Sequence, residues 1–332
     1  MYYVKEKYIS TSVLDTQKYI KVIKDTFERE LAKQLDLVRI SAPIFVTSES
    51  GLQDDLSGVE RKVSFDILKD GRTLEIVQSL AKWKRFALDY YKFNTHKGLY
   101  TDMTAIRRDE MIDQIHSIYV DQWDWEKVIT RQDRNINYLK DIVRHIVKAI
   151  KDTSEILRQK SNIDFPIIDE NVFFITAQDL LNRYPNKTPK EREYLISKEY
   201  RTVFIIGIGD NLSNGEPHDL RAPDYDDWTL NGDLIIFNEV LDMGLEISSM
   251  GIRVDKTKMI EQLKKANKEE RLNYQFHKDI INERLPLTIG GGIGQSRLCL
   301  LLLGKAHIGE VQSSYWDKES IELCEKNNIK LL

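Results

Sequence analysis

Residues 99–126, LYTDMTAIRRDEMIDQIHSIYVDQWDWE, decide how this chain is read. Two runs with strand character, 99–106 and 117–125, are joined by a charged loop. In the second run the two-residue period puts Val120, Gln122, Asp124 and Glu126 on one face and Tyr119, Asp121, Trp123 and Trp125 on the other. A half-buried strand normally alternates apolar with polar. Here Gln, Asp and Glu follow one another on a single face and repel unless a cationic or hydrogen-bonding group lies over them. Arg107 and Arg108 are the nearest cations in sequence. Taken alone, the segment reads equally well as a solvated edge hairpin with surface charge pairs, which contribute little.

The chain as a whole restricts the choice. Its 332 residues are enough for a sizeable core, and 49 Lys and Arg against 53 Asp and Glu give a net charge of −4. That balance argues against an extended nucleic-acid footprint. Cys299 and Cys324 have no metal-ligand spacing, and Cys299 lies in an apolar run where it reads as a packed small hydrophobe. The longest apolar run, 298–303, is far too short to span a bilayer, and MYYVKEKYIS has no signal-like apolar region. The expectation is a cytoplasmic protein with no membrane partner, folded as one domain over 1–332.

Upstream, Ile20, Ile23, Phe27, Leu31 and Leu35 fall at helical spacing, and a strand-like run at 37–40 ends at Pro43. The polar stretch QDDLSG, 53–58, reads as a loop whose adjacent carboxylates suit an ammonium group. Residues 62–68 and 73–77 read as a hairpin turning at Asp70-Gly71. In SLAKWKRFALDYY, Ser79 stands where an N-cap belongs. Leu80, Trp83, Phe86, Ala87 and Tyr90 mark the apolar face, with Lys82, Lys84 and Arg85 elsewhere. Cations in a first turn oppose the helix dipole, so the pattern suits either a basic solvent face or an anion bound there.

Downstream, Ile136, Leu139, Val143, Ile146 and Ile150 predict a long amphipathic helix reaching about residue 158. VFFITA and QDLLNRY predict a strand and a short helix, and Thr188-Pro189 with Glu191 predicts a capped helix start. TVFIIGIG, 202–209, reads as a buried strand, and neither a P-loop nor a dinucleotide fingerprint occurs. RAPDYDDW, 221–228, gathers three aspartates beside aromatics. Strands at 234–237 and 245–254 follow. Glu246 and Ser248 are expected on one face of the latter, and Asp233 and Glu246 are a weak candidate pair for Mg2+. Residues 257–285 read as a charged helical segment. TIGGGIGQSRLCLLLL, 288–303, reads as a glycine turn where backbone approaches a ligand, entering a core helix with Arg297 in its first turn. An arginine there needs an anionic partner.

Three of these stretches resemble the conserved motifs of the class II aminoacyl-tRNA synthetase core. They are the helix and strand ending at Pro43, the Arg107–Arg108–Asp109–Glu110 loop leading into the Gln122–Asp124–Glu126 strand, and the glycine-rich run ending in Arg297. The strings SLAKWKR, HSIYVDQWDWE, LNGD and EISSMGIRV resemble ammonia-dependent asparagine synthetases, the aspartate–ammonia ligases, more closely. Gln295-Ser296 before Arg297 agrees with them and departs from the usual synthetase pattern of Glu at that point. The resemblance implies an α/β (α+β) core, a mixed, mostly antiparallel sheet flanked by helices, dimeric through its first helix and strand. It further implies synthesis of asparagine from L-aspartate and ammonia through a β-aspartyl adenylate, with ATP and Mg2+. Site roles follow by resemblance. Arg107, Asp226, Arg253 and Arg297 bind ATP, Asp233 and Glu246 hold Mg2+, and Ser79, Lys84, Gln122 and Asp124 orient aspartate. Either Asp54 or Asp124 takes the α-ammonium or a proton from ammonium. The rival readings are a similar core that passes its activated amino acid to a tRNA or a protein lysine, and a catalytically dead paralogue. The roughly 36 residues before the first motif strand weigh against the tRNA version, and the retained motif charges weigh against the paralogue.

Overall fold

The computed structural model describes residues 3–54, 56 and 60–332. Asp55, Ser57 and Gly58 of the QDDLSG stretch lie outside the described residues. In chain order the elements are α1 (Val13–Leu35), β1 (Leu37–Arg39), β2 (Phe45–Thr47), β3 (Ser64–Asp66), β4 (Thr73–Ile76), α2 (Ala81–Tyr90), β5 (Gly98–Ile106), β6 (Tyr119–Val128) and α3 (Ile136–Ser161). They continue with β7 (Val172–Thr176), α4 (Ala177–Arg183), α5 (Pro189–Tyr200), β8 (Thr202–Ile206), β9 (Asp226–Asn238), β10 (Met243–Arg253), α6 (Lys256–Lys265) and α7 (Gln275–Ile281). The last are β11 (Thr288–Gly294), α8 (Gln295–Leu302) and α9 (Lys318–Lys326).

The main sheet runs β1-β5-β6-β11-β10-β9-β8-β7, with parallel pairing at its two edges and antiparallel pairing between them. A small sheet, β2-β4-β3, flanks it, with Gly71 at positive φ in the hairpin turn. Local chemistry explains the long helices. Ser12 caps α1, and its apolar positions Ile23, Phe27, Leu31 and Leu35 are fully buried. Asn135 caps α3 through the amides of Asn137 and Tyr138, and Thr188 and Glu191 form the expected capping box on α5. Helices α1 and α3, with α8, cover one face of the sheet over a core that includes Trp123 and Trp125. Helices α2 and α5 lie over the opposite face.

Four expectations change. Residues 257–285 are not one helical segment but α6, a 3₁₀ turn at Glu269–Asn273, and α7. The glycine-rich run is not a turn before a helix but a central strand, β11, between β6 and β10. Leu80, not Ser79, takes the cap position of α2, and the Ser79 hydroxyl accepts from the Ala81 amide at 3.1 Å. Strand β10 carries a bulge at Ile247, because Glu246 pairs with Ile235 and Ser248 with Leu234. One extra residue switches the alternation. Ser249, not Ser248, therefore shares the face of Glu246, and Met250 and Ile252 turn to the core.

Candidate active site

On the face under α2 and α5 the sheet lines a cavity of about 420 Å³. Ten of the eleven residues singled out from the sequence border it: Asp54, Ser79, Lys84, Arg107, Gln122, Asp124, Asp226, Glu246, Arg253 and Arg297. Asp233 does not. It lies behind Arg221, whose guanidinium pairs with it, and accepts from the Ser249 hydroxyl at 2.8 Å.

The polar face of β6 is buried, with Asp124 and Glu126 at most 3% exposed, so the solvated-hairpin reading is excluded. The cations that satisfy it are not Arg107 and Arg108. Lys84 Nζ lies 2.7 Å from Asp124 Oδ1 and 3.9 Å from Glu126 Oε2, and donates to the Gly291 carbonyl at 2.9 Å. Arg253 grips both oxygens of Glu126, with contacts of 2.7–3.1 Å, and pairs with Asp226. Burial works against the Glu126 carboxylate, but Arg253 and Lys84 outweigh it and hold it below the usual range. The glycines of β11 make this possible. A Cβ on Gly292 would lie 3.0 Å from Asp124 Oδ1 and crowd the Gln122 amide as well, while one on Gly290 would overlap the Glu126 carboxylate. The glycine run thus admits neighbouring side chains, and Gly291, Gly292 and Gly294 also border the cavity.

Helix α2 buries part of its expected apolar face, Leu80, Trp83 and Ala87, and its cations as well. Lys82, Lys84 and Arg85 are buried while Phe86 and Tyr90 are exposed, which excludes a basic solvent face. Lys82 Nζ reaches Asp224 Oδ2 at 2.8 Å and the Gln53 carbonyl at 3.1 Å, beside Asp54. Arg271 and His277 meet the same Asp224 oxygen, each at 3.0 Å. Arg85 donates to the carbonyls of Pro286 and Val254, and burial lowers its pKa to about 10. Burial raises the Asp54 carboxyl above the ordinary range, against the opposing pull of Lys82 and the Ser79 hydroxyl.

At the other end the cavity is cationic. Arg107 presents a buried Nε with no hydrogen-bond partner among the described residues. Arg297 donates to the Glu246 carbonyl at 3.1 Å. Glu246 is held below its ordinary range because Arg297, Lys190, Arg221 and Arg107 together outweigh its burial. Burial raises Asp233; Arg221 opposes this and Glu246 adds to it. Among the described residues no three His, Cys, Asp or Glu side chains cluster as a complete metal site. A hard ion taking one or two carboxylates, with water and phosphate oxygens completing its shell, fits this donor set. Arg221 had no role in the sequence reading. Its signal was an arginine opening an aspartate-rich string, and only the fold shows that it separates Asp233 from the cavity.

Comparisons with known proteins identify the family and the fold. Residues 14–328 match the family model described as aspartate-ammonia ligase. The chain is 55% identical over 329 residues to the aspartate–ammonia ligase of Clostridium tetani, covering 99% of this chain and 96% of that one. It is 56% identical over 326 residues to that of Fusobacterium nucleatum, covering 98% and 99%. Among solved structures it is similar to asparaginyl-tRNA synthetases. That of Entamoeba histolytica, in complex with asparaginyl-adenylate, gives a TM-score of 0.64 at 14% identity and covers 91% of this chain and 66% of that one. That of Pyrococcus horikoshii gives 0.64 at 13% identity, covering 90% and 68%. The chain thus spans about two thirds of those synthetases, and the likeness establishes the class II synthetase fold.

Proposed function

The chain belongs to the aspartate–ammonia ligase family, and on that premise we propose how its cavity joins L-aspartate to ammonia with ATP. One observation carries the assignment of roles: the cavity has two chemically distinct ends. At one end the fixed pair Lys84–Asp124 leaves Asp124 Oδ2 buried without a partner among the described residues, in a cavity that Gln122, Ser79 and Asp54 also line. An amino acid brings the complementary pair, with its carboxylate toward Lys84 and its ammonium toward the free carboxylate oxygen. At the other end Arg107, Arg221 and Arg297 surround Glu246, an excess of positive charge that suits a polyphosphate.

Oxide is too poor a leaving group for ammonia to displace it from the aspartate side chain directly. An oxygen of that carboxylate attacks the α-phosphorus of ATP, the bond to the β-phosphate oxygen breaks, and pyrophosphate leaves. Ammonia then attacks the β-carbonyl carbon of the aspartyl adenylate, AMP departs, and the surplus proton is lost to give asparagine. Arg107 meets the charge that develops on the α-phosphate, and Arg297 binds the distal phosphates. Asp226 and Arg253 frame the nucleotide. Lys84, Ser79, Gln122 and Asp124 hold the aspartate in line, a positioning effect that supplies much of the rate. Asp54, its carboxyl raised by burial, would take the proton that ammonium must shed, with Asp124 on the α-ammonium. Glu246 would hold Mg2+, with Asp233 behind it. When bound, the ion neutralises phosphate charge and orients the leaving pyrophosphate.

The match over 14–328 supports one catalytic unit spanning the chain. The exposed Val38, Ile44 and Phe45 around edge strand β1 support a homodimer formed through that edge. Cys299 and Cys324, buried as free thiols, support a cytoplasmic enzyme acting on small molecules. The test is pyrophosphate release from ATP and Mg2+ with aspartate, with and without ammonium, and chromatography of the products. Release that depends on both, yielding AMP and asparagine, is the expected result. Adenylate that ammonium fails to discharge would transfer the reading to a macromolecular acceptor. Arg107→Ala should lower turnover roughly 10²–10³-fold in a folded protein, and wild-type release by that variant would overturn its role.

A further inference from the structure

The first turn of α8 is held by a carboxylate from another element. Gly294 occupies its N-cap and offers no side-chain acceptor, so the first amides depend on outside partners. Asp121 of β6 provides one. Its Oδ1 accepts from the Ser296 amide at 3.1 Å and from the Ser296 hydroxyl at 2.6 Å. Its Oδ2 accepts from Lys24 of α1 at 3.1 Å, and Gln312 donates to the Ser296 hydroxyl oxygen at 3.0 Å. The next residue is Arg297, whose guanidinium points back to the Glu246 carbonyl. An arginine in a first turn is disfavoured by the helix dipole, and the Asp121 carboxylate on the same turn offsets that.

Asp121 is not needed to hold the strand that precedes the helix. Backbone pairing already fixes β11 to β6 as far as Gly294 opposite Gln122. What remains for Asp121 to fix is the turn after it. Removing the carboxylate does not strand a buried charge either, because the Lys24 side chain is 33% exposed.

We propose that Asp121 is a positioning residue for Arg297, acting through Ser296 to set the direction in which that arginine enters the cavity and, through Lys24, tying this direction to α1. The proposal rests on the reading of Arg297 as a triphosphate-binding residue. Lys24 lies on the helix that the dimer reading puts at the interface, so the same chain of contacts connects that helix to the nucleotide end of the cavity.

The test is steady-state kinetics with ATP and aspartate varied separately, in wild type, Asp121→Ala, Ser296→Ala, the double variant, Asp121→Asn and Arg297→Ala, with thermal unfolding of each. Asp121→Ala should raise KM for ATP roughly 10-fold and leave KM for aspartate within about 2-fold. The double variant should be no worse than Asp121→Ala alone, since the Ser296 hydroxyl acts on the turn through the Asp121 carboxylate. Asp121→Asn keeps an acceptor for the Ser296 amide and should restore most of the ATP affinity. Equal rises in both KM values, or additive effects of Asp121→Ala and Ser296→Ala, would overturn the proposal. If Arg297→Ala raises KM for ATP but Asp121→Ala does not, the positioning role alone fails. If Arg297→Ala leaves KM for ATP unchanged, the reading of Arg297 fails and the proposal with it. Should Asp121→Ala not fold, Ser296→Ala, which keeps the amide bond and the Asp121–Lys24 pair but loses the hydroxyl bond, should give a smaller rise in KM for ATP alone, and no rise would overturn the proposal.

Discussion

Gly290 of β11 lies directly opposite Glu126 of β6, and the Glu126 carboxylate fills the space where a side chain on Gly290 would begin. The Arg253 guanidinium borders the same space. Gly290→Ala must therefore push Glu126 off Arg253 and leave buried charges imperfectly paired. A loss of about 3 kcal/mol or more is expected in urea unfolding. A variant as stable as wild type would mean that the pair can be satisfied elsewhere.

Lys84 is completely buried between Asp124, Glu126 and the Gly291 carbonyl. Lys84→Met should remove aspartate binding and destabilise the fold by roughly 3–5 kcal/mol, because carboxylates are left without their cation. Adding Asp124→Leu to that variant should recover much of the stability but none of the activity. Calorimetric aspartate binding beside thermal unfolding separates the two effects.

The pH dependence of stability should contain a histidine component. His307 is buried, its Nδ1 accepts from the Gly309 amide at 3.0 Å, and burial lowers its pKa from 6.5 to about 4. Between those values the unfolded chain binds the proton and the folded chain does not, so this contribution is intact above 6.5 and is lost as pH falls toward 4. The span is roughly 3 kcal/mol. His307→Asn should flatten the acid limb of a stability–pH curve, and an unchanged limb would assign it to other groups.

The placement of Glu246 on the cavity and of Asp233 behind Arg221 predicts unequal roles in ion binding. Glu246→Gln should raise the Mg2+ concentration needed for half-maximal pyrophosphate release by roughly 10–100-fold, and Asp233→Asn by less. The reverse order, read from Mg2+ titrations, would make Asp233 the direct ligand.

The parts of the fold legible in the sequence are those whose causes are local. The buried stripes of α1 and α3, the Asp70-Gly71 turn and the Thr188–Glu191 capping box each depend on residues within a few positions of one another. In helix α2 the buried Leu80, Trp83 and Ala87 follow the periodicity, but the burial of its cations does not, because their partners are remote. Its lysines face inward to meet Asp124 and Asp224, carboxylates that no periodicity links to residues 79–91. The same holds for Arg221, whose partners Asp233 and Ser249 lie on two other strands.

By itself the sequence determined where the long amphipathic helices lie and carried the strings of the aspartate–ammonia ligase family, together with most of the residues that border the cavity. Tertiary structure decided which cation meets which carboxylate, that the glycine run is a strand making room for Glu126 and Asp124, and that the bulge at Ile247 turns Ser249 rather than Ser248 toward Glu246. The physical reason is range. Helix periodicity and capping act between neighbours along the chain, whereas charge pairing, close packing and strand register act between atoms that only the folded sheet brings together.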